Sequence, residues 1–400
     1  MKYGSPEGRG QASRLTQYLC RGDPEMNRRT FLATAGVCAA LTARNSPTVA
    51  TASSKVKVLL WCWDARMTWD DEPGNIQSHM AAAEKRFPYP KKGESFQIGF
   101  RRLVDYCSAT GIWGIIIWGF LRDAHGGISA ARDLCLYARD RGVSILPGVG
   151  LCAYGGYYYE GDHPFNLDSY LKKYPDRAGI AREEGGGREV AGVLDPSLPE
   201  NRQWWCDGLE WMLENFSIAG INYEMGDFVV NSSERSKIAR RELGIKTNEN
   251  ILDMVVATRD LMDTAFNLVP EGTFINALYR GYPEVHNLDE IPYAKIMHPK
   301  TVWEYTLTGM VHKEDFDRPY TDIPAHRKYG YLHWFNASTK TMEKDYVEAI
   351  ARVYPRLHKL NFEFAGTYGE LTAQAPIADR NYRAQVAWAN DASFNLEGFE

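Results

Sequence analysis

The sequence lacks the signatures of several common functional classes. Its seven cysteines include no Cys-X-X-Cys pair, so there is no zinc or redox motif, and we predict neither a metal nor a cofactor. No GxGxxG follows the first apolar segment, which argues against a dinucleotide-binding sheet. The net charge of −5 comes without a basic stripe or a block of like charge, so nothing indicates nucleic acid as a partner. Scattered cysteines of this kind are predicted to be buried core residues; they are Cys62, Cys107, Cys135, Cys152 and Cys206.

The sequence also has no apolar run long enough to cross a membrane. Residues 26–43 (MNRRTFLATAGVCAALTA) place Arg28 and Arg29 ahead of a short Ala-rich run, which resembles a twin-arginine export signal. We therefore expect residues 1–54 to be a leader with its true start at Met26. The mature protein is then expected in the periplasm or outside the cell, with no membrane partner after cleavage. A disordered basic N-terminus is the alternative.

The rest of the chain alternates apolar strands with segments of helical spacing. Eight strands are predicted, and their apolar character is that of strands covered on both faces. Eight such units predict an α/β protein whose parallel sheet closes as a (β/α)₈ or TIM barrel, forming a single domain over residues 55–400. A charged, glycine-rich excursion, REEGGGRE, separates strands three and four. The predicted strands are Val56–Trp63, Trp113–Trp118, Val143–Val149, Ile218–Tyr223, Thr273–Tyr279, Thr301–Leu307, Tyr331–Phe335 and Asn361–Tyr368.

In this architecture the active site lies at the carboxyl ends of the strands. Nearly every predicted strand end combines an aromatic residue with a polar or charged one, and the chain contains 11 Trp and 23 Tyr. Flat Trp and Tyr rings can stack on the C–H faces of sugars, so this composition predicts a cleft that binds carbohydrate. The candidate substrate contacts are Trp63, Asp64, Arg66, Trp118, Arg122, Asp123, His125, Tyr154, Tyr223, Asn276, Tyr279, Trp303, His333, Trp334 and Glu370.

Glu224 is the first candidate for catalysis. Alternation within the fourth strand puts Asn222 and Glu224 on one face, at the end of an apolar segment. Partial desolvation there raises the pKa of a carboxyl group and suits it to donate a proton. A structural carboxylate paired with Arg66 or Arg122 across the barrel mouth is the alternative interpretation.

Glycoside hydrolysis needs a second carboxyl group. Asp227 follows Glu224 closely and can face the same pocket, whereas Glu304 lies in the middle of TVWEYTL. An unpaired carboxylate inside a strand is costly, so Glu304 is expected to be either catalytic or salt-bridged. Both rank equally as the partner of Glu224, and Glu370 is a third choice that can instead cap the last helix.

At these residues the chain resembles the barrel glycoside hydrolases. The segment 194–228 resembles their fourth-strand region, in which a long helix leads to a strand that ends in the catalytic acid. Gly366–Glu370, with Asn381, Tyr382 and Trp388, resembles their closing strand and helix. The resemblance implies an exported glycosidase with Glu224 as the acid and a carbohydrate as substrate. In the commonest retaining group a second carboxylate ends strand seven, where this chain has His333 and Asn336. This departure leaves inverting and substrate-assisted reactions open.

Three other functions remain compatible with the sequence. A metal-dependent sugar isomerase or epimerase would use Glu224, Asp227, His298 and Glu304 as ligands. A non-catalytic barrel would bind sugar without turnover. A polysaccharide lyase would use His333 or a tyrosine as its base. The sequence carries no prediction of oligomeric state.

Overall fold

Eight parallel strands form a closed barrel in the computed structural model of this protein. The structure describes residues 56–63, 93–151, 158–183, 189–224, 228–231, 234–235, 237–238, 252–277, 297–312, 327–332, 345–369 and 376–399. Each strand pairs in parallel with the next, and the last pairs with the first. The predicted (β/α)₈ barrel is therefore confirmed. Its strands are β1 (Lys57–Trp63), β2 (Gly114–Trp118), β3 (Ser144–Gly150), β6 (Gly220–Glu224), β8 (Thr273–Ala277), β9 (Val302–Thr306), β10 (Arg327–Leu332) and β11 (Phe364–Tyr368).

Helices cover the outer face of the barrel. One of them, Val347–Lys359, buries Val347, Ile350, Val353 and Leu357, a spacing that places one apolar stripe on a helix. None of the described helices is long and apolar enough to cross a membrane. The helices are α1 (Gly93–Thr110), α2 (Gly127–Arg139), α3 (Leu167–Lys173), α4 (Pro199–Asn215), α5 (Leu252–Leu268), α6 (Thr308–His312), α7 (Val347–Lys359) and α8 (Pro376–Asn390), with 3₁₀ turns at Asp123–His125, Pro175–Arg177 and Leu396–Gly398.

A second, smaller sheet occupies the connections that follow β3 and β6. Its strands are β4 (Ala178–Glu183), β5 (Glu189–Leu194) and β7 (Phe228–Asn231), which pair antiparallel in the order β5-β4-β7. The charged excursion predicted between strands three and four is thus flanked by a paired hairpin. Because both connections leave the carboxyl ends of barrel strands, this sheet lies at the end where barrels of this class carry their sites.

The seventh barrel strand begins earlier than the sequence predicts. The prediction of Tyr331–Phe335 was wrong at its start, since β10 begins at Arg327. The prediction rested on runs of apolar residues, and Arg327 and Lys328 are polar, so it missed the start of the strand. In the structure the Arg327 guanidinium bonds both carboxyl oxygens of Glu363, and the Lys328 ammonium donates to the carbonyl of Leu360. These partners satisfy the charged ends of both side chains.

The described cysteines behave as core residues. Cys62, Cys107, Cys135 and Cys206 are buried and form no disulfide, as the sequence predicts. Cys152 lies outside the described residues.

Candidate functional site at the carboxyl ends of the barrel strands

The side chains of β6 point alternately into the barrel interior and toward the surrounding helices. The hydroxyl of Tyr223 lies 3.1 Å from that of Tyr158, which donates to the carbonyl of Trp205 in α4 at 2.6 Å. Tyr223 therefore faces the helices. Because successive side chains of a strand point to opposite faces, Asn222 and Glu224 face the barrel interior, on one face as the sequence predicts.

Strand pairing extends this inner face to Glu304. Glu224 pairs with Ala277, and Ala277 pairs with Glu304; paired residues of parallel strands project to the same side. Two strand spacings separate the Cα atoms of the two glutamates, which is about 10 Å. Ala277 stands between them with only a methyl group. Both carboxyl side chains therefore point into the barrel interior.

The two glutamates lie at different depths. The row of paired residues slants from Glu224, the last residue of β6, through Glu304 to Phe364 and Lys57, which begin β11 and β1. Because the strands tilt against the barrel axis, the row of paired residues drops in height from strand to strand. Residues at the same height on every second strand are therefore two positions further along than the paired residue. Glu304 is consequently level with Asn222, and Glu224 lies one level nearer the mouth.

Glu304 is buried without a hydrogen-bond partner. It is 2% exposed, and neither of its carboxyl oxygens has a hydrogen-bond partner among the described residues. Loss of hydration disfavours the charged form of a carboxyl group, and burial raises the pKa of Glu304 to about 8. Glu304 therefore holds a proton at neutral pH.

Two further polar side chains point into the barrel interior near the level of Glu304. The amide of Asn222 is fully buried, and neither its oxygen nor its nitrogen has a hydrogen-bond partner in the described part of the chain. Tyr329 is the register partner of Glu304, and its buried hydroxyl also lacks a partner among these residues. Burial and the neighbouring Glu304 raise the pKa of Tyr329 well above its ordinary value. Buried polar groups are normally hydrogen-bonded, so this inner polar cluster of Asn222, Glu304 and Tyr329 is typical of a functional site.

Aromatic rings form a floor beside Glu224. Trp61 lies 5.9 Å from Trp118, 6.0 Å from Tyr331 and 5.2 Å from Tyr368, measured between ring centroids. The pairing of Trp118 with Gly148 and of Gly148 with Asn222 places Trp118 level with Glu224. We call Trp61, Trp118, Tyr331 and Tyr368 the aromatic floor. Of these, only Trp118 is among the predicted contacts; inward alternation along β1, β10 and β11 identifies the other three.

Gly148 has no Cβ atom, and this leaves room for the Trp118 indole. A Cβ atom on Gly148 would lie 2.6 Å from the indole ring, well inside van der Waals contact. The ring therefore lies directly against the backbone of β3. Any side chain at position 148 would displace it from the floor.

Three predicted substrate contacts face the helices instead. Tyr223 pairs with Asn276, and Asn276 pairs with Trp303, so the three share the outer face of the wall. Phe274, two residues before Asn276, packs edge-on against Phe266 of α5 with centroids 5.0 Å apart. The sequence prediction used their position near strand ends without their alternation, and their contact with substrate stays a prediction.

Arg122 and Asp123 are held by the connection that follows β3. Arg122 is 4% exposed, and its Nη1 lies 4.0 Å from Oε2 of Glu160. Asp123 accepts hydrogen bonds from the Tyr159 hydroxyl at 2.5 Å and from the backbone N–H of Asp162 at 3.2 Å. Burial, together with the bond to Asp123, raises the pKa of Tyr159 to about 12. Both side chains therefore support this connection, and their predicted contact with substrate stays a prediction.

Two histidines considered for the site stack on helices. His125 lies parallel to Phe96 of α1 with ring centroids 4.0 Å apart, and it is 1% exposed. This stacking buries His125 against α1, and its contact with substrate stays a prediction. His298 stacks on Phe266 of α5 at 4.4 Å and precedes β9, at the opposite end from the site. It cannot share a metal with Glu224, and no group of three or more metal-binding side chains is found within the described ranges.

The remaining candidates lie outside the described residues, and their roles stay predictions. They are Asp64, Arg66, Tyr154, Asp227, Tyr279, His333, Trp334, Glu370 and the side chain of Trp63.

No known family profile and no curated protein matches this chain. Solved structures do resemble it. A GH20 exo-β-N-acetylglucosaminidase from Vibrio harveyi, in complex with N-acetylglucosamine, is similar with a TM-score of 0.51 and 10% identity, covering 87% of this chain and 56% of that one.

Two further structures are similar at lower scores. A chitobiase from Flavobacterium johnsoniae has a TM-score of 0.46 and 12% identity, covering 77% of this chain and 46% of its own. A GH36 α-galactosidase from Geobacillus stearothermophilus has a TM-score of 0.48 and 11% identity, with coverages of 83% and 41%. The chain thus spans about half the length of the chitobiase and the glucosaminidase. At this identity the likeness shows the barrel fold alone.

Proposed function

We propose that this protein is a glycoside hydrolase that cleaves a poly- or oligosaccharide, with Glu224 and Glu304 as its catalytic carboxyl pair. The observation that carries the proposal is that both side chains point into the barrel interior, Glu224 at the carboxyl end of β6 and Glu304 one level deeper. Trp118, level with Glu224, adds an aromatic face on which a sugar ring can stack.

The raised pKa of Glu304 supports one assignment of the proton within this pair. Glycoside hydrolysis uses one carboxylic acid and one carboxylate. Glu304 has the raised pKa, about 8. In our proposal Glu304 protonates the leaving oxygen and Glu224 acts as the carboxylate. This exchanges the roles expected from the sequence, in which Glu224 is the donor.

Aryl glycosides with different leaving groups test the pair and its roles. N-acetyl-β-glucosaminides and α-galactosides come first in the panel, because similar barrels belong to enzymes named for these sugars. Loss of a general acid typically costs 10²–10⁴-fold, but a 2,4-dinitrophenolate departs without protonation. We expect Glu304→Gln to lose turnover of oligosaccharide and keep turnover of the dinitrophenyl glycoside, whereas Glu224→Gln loses both.

The matched control is Glu363→Gln. Glu363 is a half-buried carboxylate at the amino end of the barrel, where it binds Arg327 and Lys57. Its substitution is expected to leave turnover per folded molecule unchanged. If Glu224→Gln keeps turnover of the dinitrophenyl glycoside and Glu304→Gln loses it, Glu224 is the proton donor. Near-normal hydrolysis by both variants would overturn the proposal. Proton NMR of the first product distinguishes retention from inversion.

We also propose export by the twin-arginine route, which rests on the segment 26–43. Fusion of residues 1–54 to a reporter that is active only after export tests it. Replacement of Arg28 and Arg29 by lysine is expected to stop the reporter signal. An unchanged signal would contradict this route.

A further inference from the structure

A second cleft lies on the outside of the barrel wall, between α3 and the first turns of α4. It encloses about 650 Å³ and includes Tyr170, Tyr174 and Trp204, which define what we call the outer cleft. Ligand sites in proteins commonly enclose 300–1,000 Å³ and combine aromatic walls with a few placed polar groups. The outer cleft has both the size and the composition of such a site.

The aromatic rings of the outer cleft are fixed before any ligand arrives. Tyr170 lies between Tyr174, at 5.2 Å, and Trp204, at 4.8 Å between centroids. The Arg177 guanidinium lies 4.0 Å above the Tyr174 ring and donates to the Tyr170 hydroxyl. The indole N–H of Trp204 donates to the carbonyl of Pro164 at 3.1 Å. Rings held in place by their neighbours lose little conformational entropy on binding, which favours affinity.

The charges of the outer cleft nearly balance. Lys173 and Arg177 face Asp162, Glu200 and Asp207 around the same space. A site built for an anionic ligand concentrates arginine and lysine without carboxylates. The mixture of donors and acceptors here suits hydroxyl groups, which can both donate and accept hydrogen bonds.

The outer cleft stands behind the candidate catalytic residue. Trp204 contacts Tyr158, with centroids 6.2 Å apart, and the Tyr158 hydroxyl lies 3.1 Å from that of Tyr223. Tyr223 directly precedes Glu224 in β6. The wall of the barrel therefore separates the two spaces, and one sugar ring cannot occupy both.

We propose that the outer cleft is a second carbohydrate-binding site that holds a neutral segment of the polysaccharide away from the catalytic interior. This inference rests on the proposed function for its ligand class. It assigns the rings of Tyr170, Tyr174 and Trp204 to holding the polymer, and the carboxyl pair to cutting it.

Native gel electrophoresis through soluble polysaccharide tests the assignment by binding alone. The full chain carries Glu224→Gln, and the gels contain hydroxyethylcellulose, glycol chitin, galactomannan or polygalacturonate. We expect at least one neutral polymer to retard the protein, and Tyr174→Ala to weaken that binding about tenfold, which corresponds to about 1.4 kcal/mol. Trp204→Ala is the less suitable variant because Trp204 is buried, so Tyr174→Ala is the primary one.

Tyr137→Ala is the matched control. Tyr137 lies in α2 with the Arg141 guanidinium 3.4 Å above its ring, which repeats the Tyr174–Arg177 arrangement away from the cleft. Its substitution is expected to leave retardation unchanged. Retardation by polygalacturonate only, no retardation by any polymer, or equal retardation of the Tyr174→Ala variant would each overturn the proposal. Binding through the cleft without hydrolysis of any glycoside would instead overturn the proposed function and leave the second site standing.

Discussion

The Tyr158 and Tyr223 hydroxyls lie 3.1 Å apart directly behind Glu224, and the helix fixes the direction of donation between them. Tyr158 donates to the carbonyl of Trp205 in α4 at 2.6 Å, so the Tyr223 hydroxyl donates to Tyr158. Burial raises the pKa of both phenols well above the ordinary value. The pair therefore remains neutral and joins β6 to α4 at the height of the site.

This direction predicts unequal costs for removing the two hydroxyls. Tyr223→Phe leaves the Tyr158–Trp205 bond in place, so we expect a loss of about 1 kcal/mol in the free energy of unfolding. Tyr158→Phe leaves the buried Tyr223 hydroxyl without its acceptor and removes a donor to Trp205, so we expect a loss of about 2–3 kcal/mol. Urea unfolding measures both. A larger loss for Tyr223→Phe would contradict the assigned direction.

The raised pKa of Glu304 predicts that the free energy of unfolding falls as pH rises. Its pKa is about 8 in the folded protein and 4.5 ordinarily. Between these values the folded state holds a proton that the unfolded chain releases, so the free energy of unfolding decreases by up to about 1.4 kcal/mol per pH unit from this group. The contribution is fully present below pH 4.5 and is lost as pH approaches 8.

Urea unfolding at pH 5, 6, 7 and 8 compares the wild type with Glu304→Gln. The amide cannot titrate, so the variant is expected to show a shallower decline with pH, displaced by a constant cost for burying the amide. Burial opposes ionisation of Glu363, but its bonds to Arg327 lower its pKa below the ordinary 4.5, so its contribution is constant from pH 5 to 8 and Glu363→Gln is expected to displace the profile without changing its slope. Parallel pH profiles for the wild type and Glu304→Gln would show that Glu304 ionises normally.

Periodicity in the sequence was sufficient to predict the barrel, because strands covered on both faces are continuously apolar and their helices carry one apolar stripe. The same reasoning placed Asn222 and Glu224 on one face of β6. It failed at β10, where Arg327 and Lys328 lie in a strand because Glu363 and the Leu360 carbonyl satisfy them. Partners so distant in sequence cannot be read from a local pattern.

The candidate site was only partly predictable for a related reason. Which face of each strand points inward depends on pairing between strands, and a one-residue change of register exchanges the two faces. The sequence pattern therefore predicts Asn276 and Trp303 as contacts, whereas the register turns both toward the helices. Tyr331 was missed although it points inward beside Trp61. Once β6 is oriented by Tyr223, the register fixes all of these positions.

Two buried asparagines on neighbouring strands provide the sharpest test of this orientation. Asn222 and Asn276 are both fully buried, and neither amide has a hydrogen-bond partner within the described residues. Removal of an unpartnered buried amide relieves a desolvation cost. We therefore expect Asn222→Ala and Asn276→Ala each to change the free energy of unfolding by less than about 1 kcal/mol. Stability alone would not distinguish the two positions.

Activity is expected to distinguish them. Asn222 faces the interior at the level of Glu304, whereas Asn276 faces the helices in the row of Tyr223. Loss of a hydrogen bond made inside the site costs about 1.4 kcal/mol or more, so kcat/KM is expected to fall at least about tenfold in Asn222→Ala. In Asn276→Ala it is expected to stay within twofold, a change of about 0.4 kcal/mol. A kcat/KM of Asn222→Ala within twofold of the wild type, measured on the glycoside that the wild type hydrolyses best, would show that the Asn222 amide does not serve the reaction.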